Sequence, residues 1–271
     1  MAGIMSLTLG NGPLAKPPRG SLNFDLGAAA PAHVLYLHEV PQRIRGRFAG
    51  QTVVDTRRAM LLHETGLLPQ WYVPLEDVRQ DLIERTDHTT HCPFKGDASY
   101  WTLRVGDRVA GNTIWGYENP KPECPPLAGL VAFYFDRLDA WFEEDEPVLG
   151  HPRDPFHRVD VRRTSRHVVV RAGGQTVADS RRALALFETG LPTRYYLPAS
   201  DVRMAALRSS TTTTVCPYKG VATYHDVCVG DTVYPDAAWS YHEPLAEARA
   251  VGGLLSFLGE GIEVTVDGEP G

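Results

Sequence analysis

The decapeptide DHTTHCPFKG, from Asp87 to Gly96, gathers a carboxylate, two imidazoles, a thiol and an amine into one short stretch. Imidazole and ammonium groups beside a thiol favour its thiolate, which is the nucleophilic form. On this reading Cys92 is the nucleophile, His88 or His91 the acid–base group, Asp87 its orienting partner, and Lys95 a second nucleophile or an electrostatic anchor. The plainer reading makes Cys92 a small buried hydrophobe, with Pro93 and Gly96 shaping a turn and Lys95 a surface or capping charge. A metal at His88, His91 and Cys92 would need further ligands from His38, His63 or Glu64. Without an HExxH motif or paired CxxC motifs, no metal site is expected.

Three other sets could hold a substrate. Arg57, Arg58 and Glu64 lie in RRAMLLHETG. Guanidinium groups in the first turn of a helix could bind a carboxylate or phosphate, or could pair with Glu64 or Asp77 and pin the segment in place. Tyr72, Tyr100, Trp101 and Trp115 have strand-like surroundings; Tyr100 and Trp101 must face opposite sides, so one of them can wall a pocket for a planar or cationic ligand. The segment HPRDPFHRVD adds His151, Arg153, Asp154, His157 and Arg158. No flavin or nicotinamide motif is present, so no cofactor is expected.

The elements that must position these residues occur twice. QTVVDTRRAMLLHETGL from Gln51 returns as QTVADSRRALALFETGL from Gln175, an offset of 124 residues (175 − 51) that still holds at Trp115 and Trp239 and at Phe133 and Phe257. Two copies of one unit imply an intramolecular pseudo-dimer. The expected organisation is a Gly/Pro-rich arm over 1–35, repeat one over 36–143, a Pro-rich linker over 144–159 and repeat two over 160–271. Cys216, Pro217, Lys219 and Gly220 persist in the second copy, whereas Asp87, His88, His91 and Asp97 become Thr211, Thr212, Val215 and Val221. The working site is therefore expected on repeat one, with repeat two a degenerate structural partner.

Each copy reads as mostly β. Gly173-Gly174 favours a tight hairpin turn between two apolar runs, and Tyr100–Val105 with Arg108–Trp115 reads as another hairpin. Asp55 and Thr56 resemble N-caps and Gly66 a left-handed terminator, so a helix is expected from about Arg57 to Thr65 and again from Arg181. The polar run SSTTTT at Ser209 is expected to line a loop. The fold class is α+β, mainly β: two pseudo-symmetric small antiparallel units, each with one short helix.

A formal net charge of −6 gives no general attraction to nucleic acid or anionic membrane, and neither is expected as a partner. The four cysteines are scattered, the N-terminus lacks the order of a signal peptide, and no apolar run is long enough to span a bilayer. A soluble cytoplasmic monomer with a small-molecule ligand is the expectation.

The segments VVDTRRAMLLHETG, DHTTHCPFKGDASYW, WFEEDE and HPRDPFHRVD resemble the tandem form of a bacterial family, domain of unknown function 427, which is also labelled nucleotidyltransferase-like. The resemblance implies small β-tent-like units similar to methionine sulfoxide reductase B, whose relatives hold zinc through paired CxxC motifs that this chain lacks. It also implies a nucleotidyltransferase reading, although the Gly-Ser turn followed by paired carboxylates that such enzymes use for two metal ions is absent. The leading expectation is an enzyme performing group transfer or hydrolysis on a small polar metabolite at the His/Cys/Lys stretch of repeat one. The alternatives are a non-catalytic module binding a small ligand or peptide in an aromatic pocket, and a nucleotidyltransferase.

Overall fold

Tight turns punctuate a chain made almost wholly of strands. The structure, a computed structural model, describes Asn23 and residues 31–271, so most of the expected N-terminal arm lies outside the described residues. The chain divides into one compact unit that ends at Phe156 and a second over His157–Gly271.

The first unit contains β1 (Leu35–Glu39), β2 (Ile44–Phe48), β3 (Gln51–Thr56), β4 (Met60–Glu64), β5 (Gln70–Pro74), β6 (Ile83–Cys92), β7 (Gly96–Val105), β8 (Arg108–Gly116), β9 (Leu130–Phe133), β10 (Ala140–Glu143) and β11 (Glu146–Val148). Seven form an antiparallel sheet in the order β1-β4-β5-β9-β8-β7-β6; the other four form a sheet in the order β11-β10-β2-β3. The second unit repeats the pattern with β12 (Val159–Arg163), β13 (Val168–Ala172), β14 (Gln175–Ser180), β15 (Leu184–Glu188), β16 (Arg194–Tyr196), β17 (Leu207–Cys216), β18 (Gly220–Val229), β19 (Thr232–Tyr241), β20 (Ser256–Phe257), β21 (Ile262–Val266) and β22 (Glu269–Pro270). Its large sheet falls into β12-β15-β16 and β17-β18-β19-β20. The mutual bonds of Leu197 and Leu255 join these two pieces, at 2.7 and 3.0 Å. Two mainly β antiparallel units are thus what the repeats encode. The β2–β3 and β13–β14 hairpins turn through Ala49-Gly50 and Gly173-Gly174, all four at positive φ, a conformation that favours the glycine found at three of them.

The expected helix at Arg57–Thr65 is instead strand β4, and its counterpart from Arg181 is strand β15. Both signals behind the helical reading are real but act otherwise. Thr56 Oγ1 accepts the Arg58 backbone N–H at 2.9 Å, a local turn and not a helix cap, and Gly66 takes its positive φ in the turn after β4. Because β4 is buried on both faces, its apolar run hides the alternation of a strand. Helical structure among the described residues is limited to 3-10 turns such as Leu75–Asp77 and Ala246–Val251. The SSTTTT run, expected in a loop, lies within β17, and residues 146–148 of the expected linker form β11. No helix among the described residues is long and apolar enough to cross a membrane.

The seven-stranded sheet has two covered faces. One packs on the small sheet through a core that includes Ile44, Val54, Leu61, Trp71, Trp101, Leu103, Ile114 and Trp141. The other carries a smaller core of Leu62, Tyr72, Ala98, Tyr100, Tyr117, Leu127 and Ala132. Strand β6 forms one edge of the large sheet among the described residues, with a bulge between Arg85 and Thr89 where Thr86 Oγ1 donates to Asn112 Oδ1 at 2.7 Å.

Gly46 sits under this packing. A Cβ there would lie 2.7 Å from Leu138 and 3.0 Å from the Trp141 ring. Gly46→Ala should therefore destabilise repeat one by about 1–3 kcal/mol through overpacking, read as a lower urea midpoint at constant slope. An unchanged midpoint would refute this account of the core.

Candidate functional site

A buried carboxylate organises one end of each large sheet. Glu64, the last residue of β4, receives the Lys95 ammonium from the β6–β7 turn at Oε2, and His33 Nε2 lies 3.0 Å from Oε1. The Lys95 and Glu64 side chains are only 7% and 9% exposed. The Phe94 ring stacks on His33 at 3.6 Å, shielding it from solvent. Repeat two builds the same cluster from Glu188, Lys219 and His157, with His157 Nε2 3.1 Å from Glu188 Oε1 and the Tyr218 ring stacked 4.0 Å away. Burial alone would raise the Glu188 carboxyl; His157 and Lys219 outweigh it and hold the group below the ordinary carboxylate value.

Beside each cluster lies a face of aromatic rings and a thiol. Cys92, at the end of β6, packs with Trp115 and Cys124 against Tyr72, Tyr100 and Tyr117. The Lys95 ammonium stands 5.8 Å from the centre of the Tyr117 ring. Burial pushes the Tyr72 and Tyr117 hydroxyls well above the ordinary phenol value, so both stay protonated at neutral pH. Thr90 Oγ1 lies 2.8 Å from the Tyr100 hydroxyl, and Thr214 Oγ1 lies 2.9 Å from that of Tyr224. In repeat two the Trp239 indole N–H donates to the Tyr196 hydroxyl at 3.3 Å. Half-buried Cys216 and the protonated Tyr241 complete the equivalent face. The arrangement sets a neutralised cation and a half-buried thiol beside the half-buried Trp115 or Trp239 ring, with the tyrosines packed in the core behind them.

The structure brings together Glu64, Lys95, Cys92, Tyr72, Tyr100 and Trp115 and separates the others. The DHTTHC segment is an edge strand, not a loop. His91 and Cys92 are neighbours in it and point to opposite faces: His91 is exposed and bonds Asp97 at 2.6 Å. His88 shares the aromatic face, its ring 4.5 Å from Tyr100, but is itself exposed, as is Asp87. Trp101 is 6% exposed within the core between the sheets, on the side away from Tyr100. Arg57 is exposed; Arg58 pairs with Asp77 at 2.6 Å and with Glu76, which ties the β3–β4 turn to the 3-10 turn after β5. Arg182 pairs with Asp201 in the same way. Repeat two is therefore not stripped of the cluster: what it lacks are exposed edge residues. Sequence reasoning missed His33 as a partner of Glu64. The available signal was that His33 and His157 obey the same offset of 124 residues (157 − 33), just outside the recognised repeats.

Repeat one has one polar cluster that repeat two lacks. His63 is fully buried, with Nε2 3.1 Å from Nε2 of His38. His38 Nδ1 lies 2.9 Å from the Glu39 carbonyl, which can only accept, so a neutral His38 has a bare Nε2 and His63 must donate to it. That leaves His63 Nδ1 bare, without a hydrogen-bond partner, 3.9 Å from an oxygen of buried Asp154. Burial, reinforced by His38, lowers the His63 pKa to about 4. Its counterpart in repeat two is the exposed Phe187. Among the described residues, no group of three or more His, Cys, Asp or Glu side chains is placed to hold a metal ion.

The profile NTP_transf_9, described as a domain of unknown function (DUF427), matches the chain twice, over residues 36–144 and 160–268. No curated protein matches the chain.

Two outcomes follow from these clusters. Removing one partner of the buried pair, as in Lys95→Met, should cost about 3–5 kcal/mol by stranding a charge, whereas Glu64→Leu with Lys95→Met should cost far less; equal losses in urea melts would count against a buried ion pair. The depressed His63 pKa means that the unfolded chain takes up this proton first. Its contribution is intact above about pH 6.5 and is lost as pH falls towards 4, by on the order of 3 kcal/mol. His63→Phe should flatten that part of the stability–pH curve, and parallel curves for variant and parent would exclude a titrating His63.

Proposed function

As the chain belongs to this family in both its halves, we propose that it acts on a small polar metabolite at two equivalent sites, one on the thiol-bearing aromatic face of each repeat. The observation that carries this reading is the recurrence of the whole set. Glu64, Lys95, His33, Cys92, Tyr72, Tyr100, Trp115 and Tyr117 return as Glu188, Lys219, His157, Cys216, Tyr196, Tyr224, Trp239 and Tyr241. The exposed groups Asp87, His88 and His91 do not return. A buried ion pair is costly to build and a hydrophobic pair of similar size would often serve stability as well. Two retained copies beside a half-buried thiol suit a binding role.

In the catalytic form of the proposal, the half-buried Trp115 or Trp239 ring stacks on the substrate beside the thiol. Cys92 or Cys216 then attacks an electrophilic carbon of the substrate, beside the Lys–Glu–His cluster as a fixed polar wall: a bond from sulfur to that carbon forms as the bond to the leaving group breaks, the leaving group takes the thiol proton, and an acceptor hydroxyl or water then takes the bound group and returns a proton to the sulfur. His88, at the rim near Tyr100, is available to repeat one alone. The second reading, a non-catalytic module, uses the same face and is favoured by how fully the lysine charge is neutralised. The nucleotidyltransferase reading rests on the family label; the recurring set contains one carboxylate per repeat, where two-metal chemistry uses a pair.

A thermal-shift screen of a metabolite library, followed by calorimetry and mass spectrometry on the hits, tests the proposal. The expected result is about two ligands per chain, falling to about one in Glu64→Leu/Lys95→Met, a variant that should remain folded. Product masses that vanish in the Cys92→Ser/Cys216→Ser variant would establish the catalytic form, and binding without product the module. Iodoacetamide should label Cys92 and Cys216 at rates within about threefold of each other, since their surroundings match. A hit whose affinity and stoichiometry survive alteration of both faces would defeat the proposal.

A further inference from the structure

Two histidines of repeat one face each other with one proton too few. His38 and His63 lie on the paired strands β1 and β4, and their Nε2 atoms are 3.1 Å apart. Alternation along β4 puts His63 on the side of the sheet away from Leu62, Glu64 and Cys92. His38 Nδ1 is committed to the Glu39 carbonyl at 2.9 Å, so its Nε2 carries a lone pair. A neutral His63 can donate to that lone pair only by turning a bare Nδ1 towards the Asp154 carboxylate, whose oxygen is 3.9 Å away. His63 is fully buried and Asp154 is 3% exposed, so bulk water does not relieve the arrangement.

A cation between the two Nε2 atoms removes the conflict. It takes both lone pairs, and the His63 proton moves to Nδ1, where it points at Asp154. Each imidazole then donates its other nitrogen to the kind of partner that metal-bound histidines use, a backbone carbonyl for His38 and a carboxylate for His63. The spacing agrees: with zinc–nitrogen bonds of about 2.0–2.1 Å, two corners of a tetrahedron are about 3.3 Å apart. The Tyr36 ring lies 5.3 Å from that of His38, and the Phe156 ring 5.6 Å from that of His63. Both flanking rings are exposed, so the outer side of the pair opens to solvent. Repeat two has Arg162 at the position of His38 (162 − 38 = 124) and Phe187 at that of His63 (187 − 63 = 124). Strand register gives the same match, since His38 pairs with Leu61 and Arg162 with Ala185. That unit forms both strands without the histidines, so the fold does not require them.

We propose that His38 and His63 are the two protein ligands of an open site for a first-row divalent cation of the zinc class, with Asp154 positioning His63 from behind. Among the described residues no third donor of the His, Cys, Asp or Glu kind completes the set. The remaining two positions of a tetrahedron therefore belong to water or to an incoming ligand, as in zinc sites that are not purely structural. The site lies across the sheet from the thiol and does not depend on the function proposed there.

Zinc titration of the full chain, followed by calorimetry and by nitrogen NMR of the histidine rings, tests the site. At saturation the Nε2 signals of His38 and His63 are both expected to move to metal-bound positions, with His63 Nδ1 becoming the protonated nitrogen. His38→Ala, on an edge strand of the described sheet, should weaken zinc at this site at least about tenfold. Asp154→Asn should weaken it about tenfold while both nitrogens still shift at saturation. His63→Phe, which copies Phe187, should abolish the site, and should that variant fail to fold, His38→Ala decides. The proposal is overturned if millimolar zinc leaves both rings unmoved, as binding through the cysteines alone would, or if His38→Ala or Asp154→Asn keeps parental affinity.

Discussion

A carboxylate that cannot be left alone governs each half of this protein. Glu64 and Glu188 lie where water cannot solvate them, and each is made tolerable by a lysine and a histidine. Those partners come from 31 residues before and 31 residues after the glutamate. One electrostatic requirement thereby fixes three remote points: the entry to the first strand, the end of the fourth, and the turn joining the two longest strands. Since Cys92 is the last residue of β6 and Lys95 belongs to the turn that follows, anchoring the lysine also sets where the thiol faces. The tyrosines are supplied by the sheet that this anchor holds in register.

The histidines, by contrast, illustrate how alternation decides function in a strand. His91 and Cys92 are adjacent in sequence, and adjacency in an extended chain sends side chains to opposite sides. Proximity along the chain, which made the decapeptide attractive, is evidence of cooperation in a loop and evidence against it in a strand. The same distinction explains β4. Its serial burial leaves no polar face to betray a two-residue period, so caps and a terminating glycine were the remaining signals, and they belong equally to turns.

What the residues reveal directly is whatever is local or duplicated. Hairpin turns such as Gly173-Gly174, the β character of the repeats, the pairing of Arg58 with Asp77 and the recurring Cys, Lys, Glu and aromatic positions are all of that kind. The His33 contact is neither: it spans 31 residues and begins before the segment in which the copies are recognisably alike. The divergent features were legible only as substitutions. Phe187 for His63 and Arg162 for His38 mark a polar cluster lost from a now exposed strand face. Duplication permits this, since each half can relax a constraint the other still keeps.

Among the described residues β6 and β17 are edge strands, which has a further consequence. An open strand edge is a template on which a second molecule can add a strand, and long β-branched edges invite this. Here each edge is broken by a bulge, between Arg85 and Thr89 in one copy and between Ser209 and Thr213 in the other. The bulges are held by Asn112 and Asp236, both at positive φ, which bond Thr86 and Thr212. Asp87, His88 and His91 add charge and bulk to the first edge, whereas the second presents neutral threonines. Polar and charged side chains on such an edge disfavour the addition of a further strand, so of the two edges that of β17 is the more open to it.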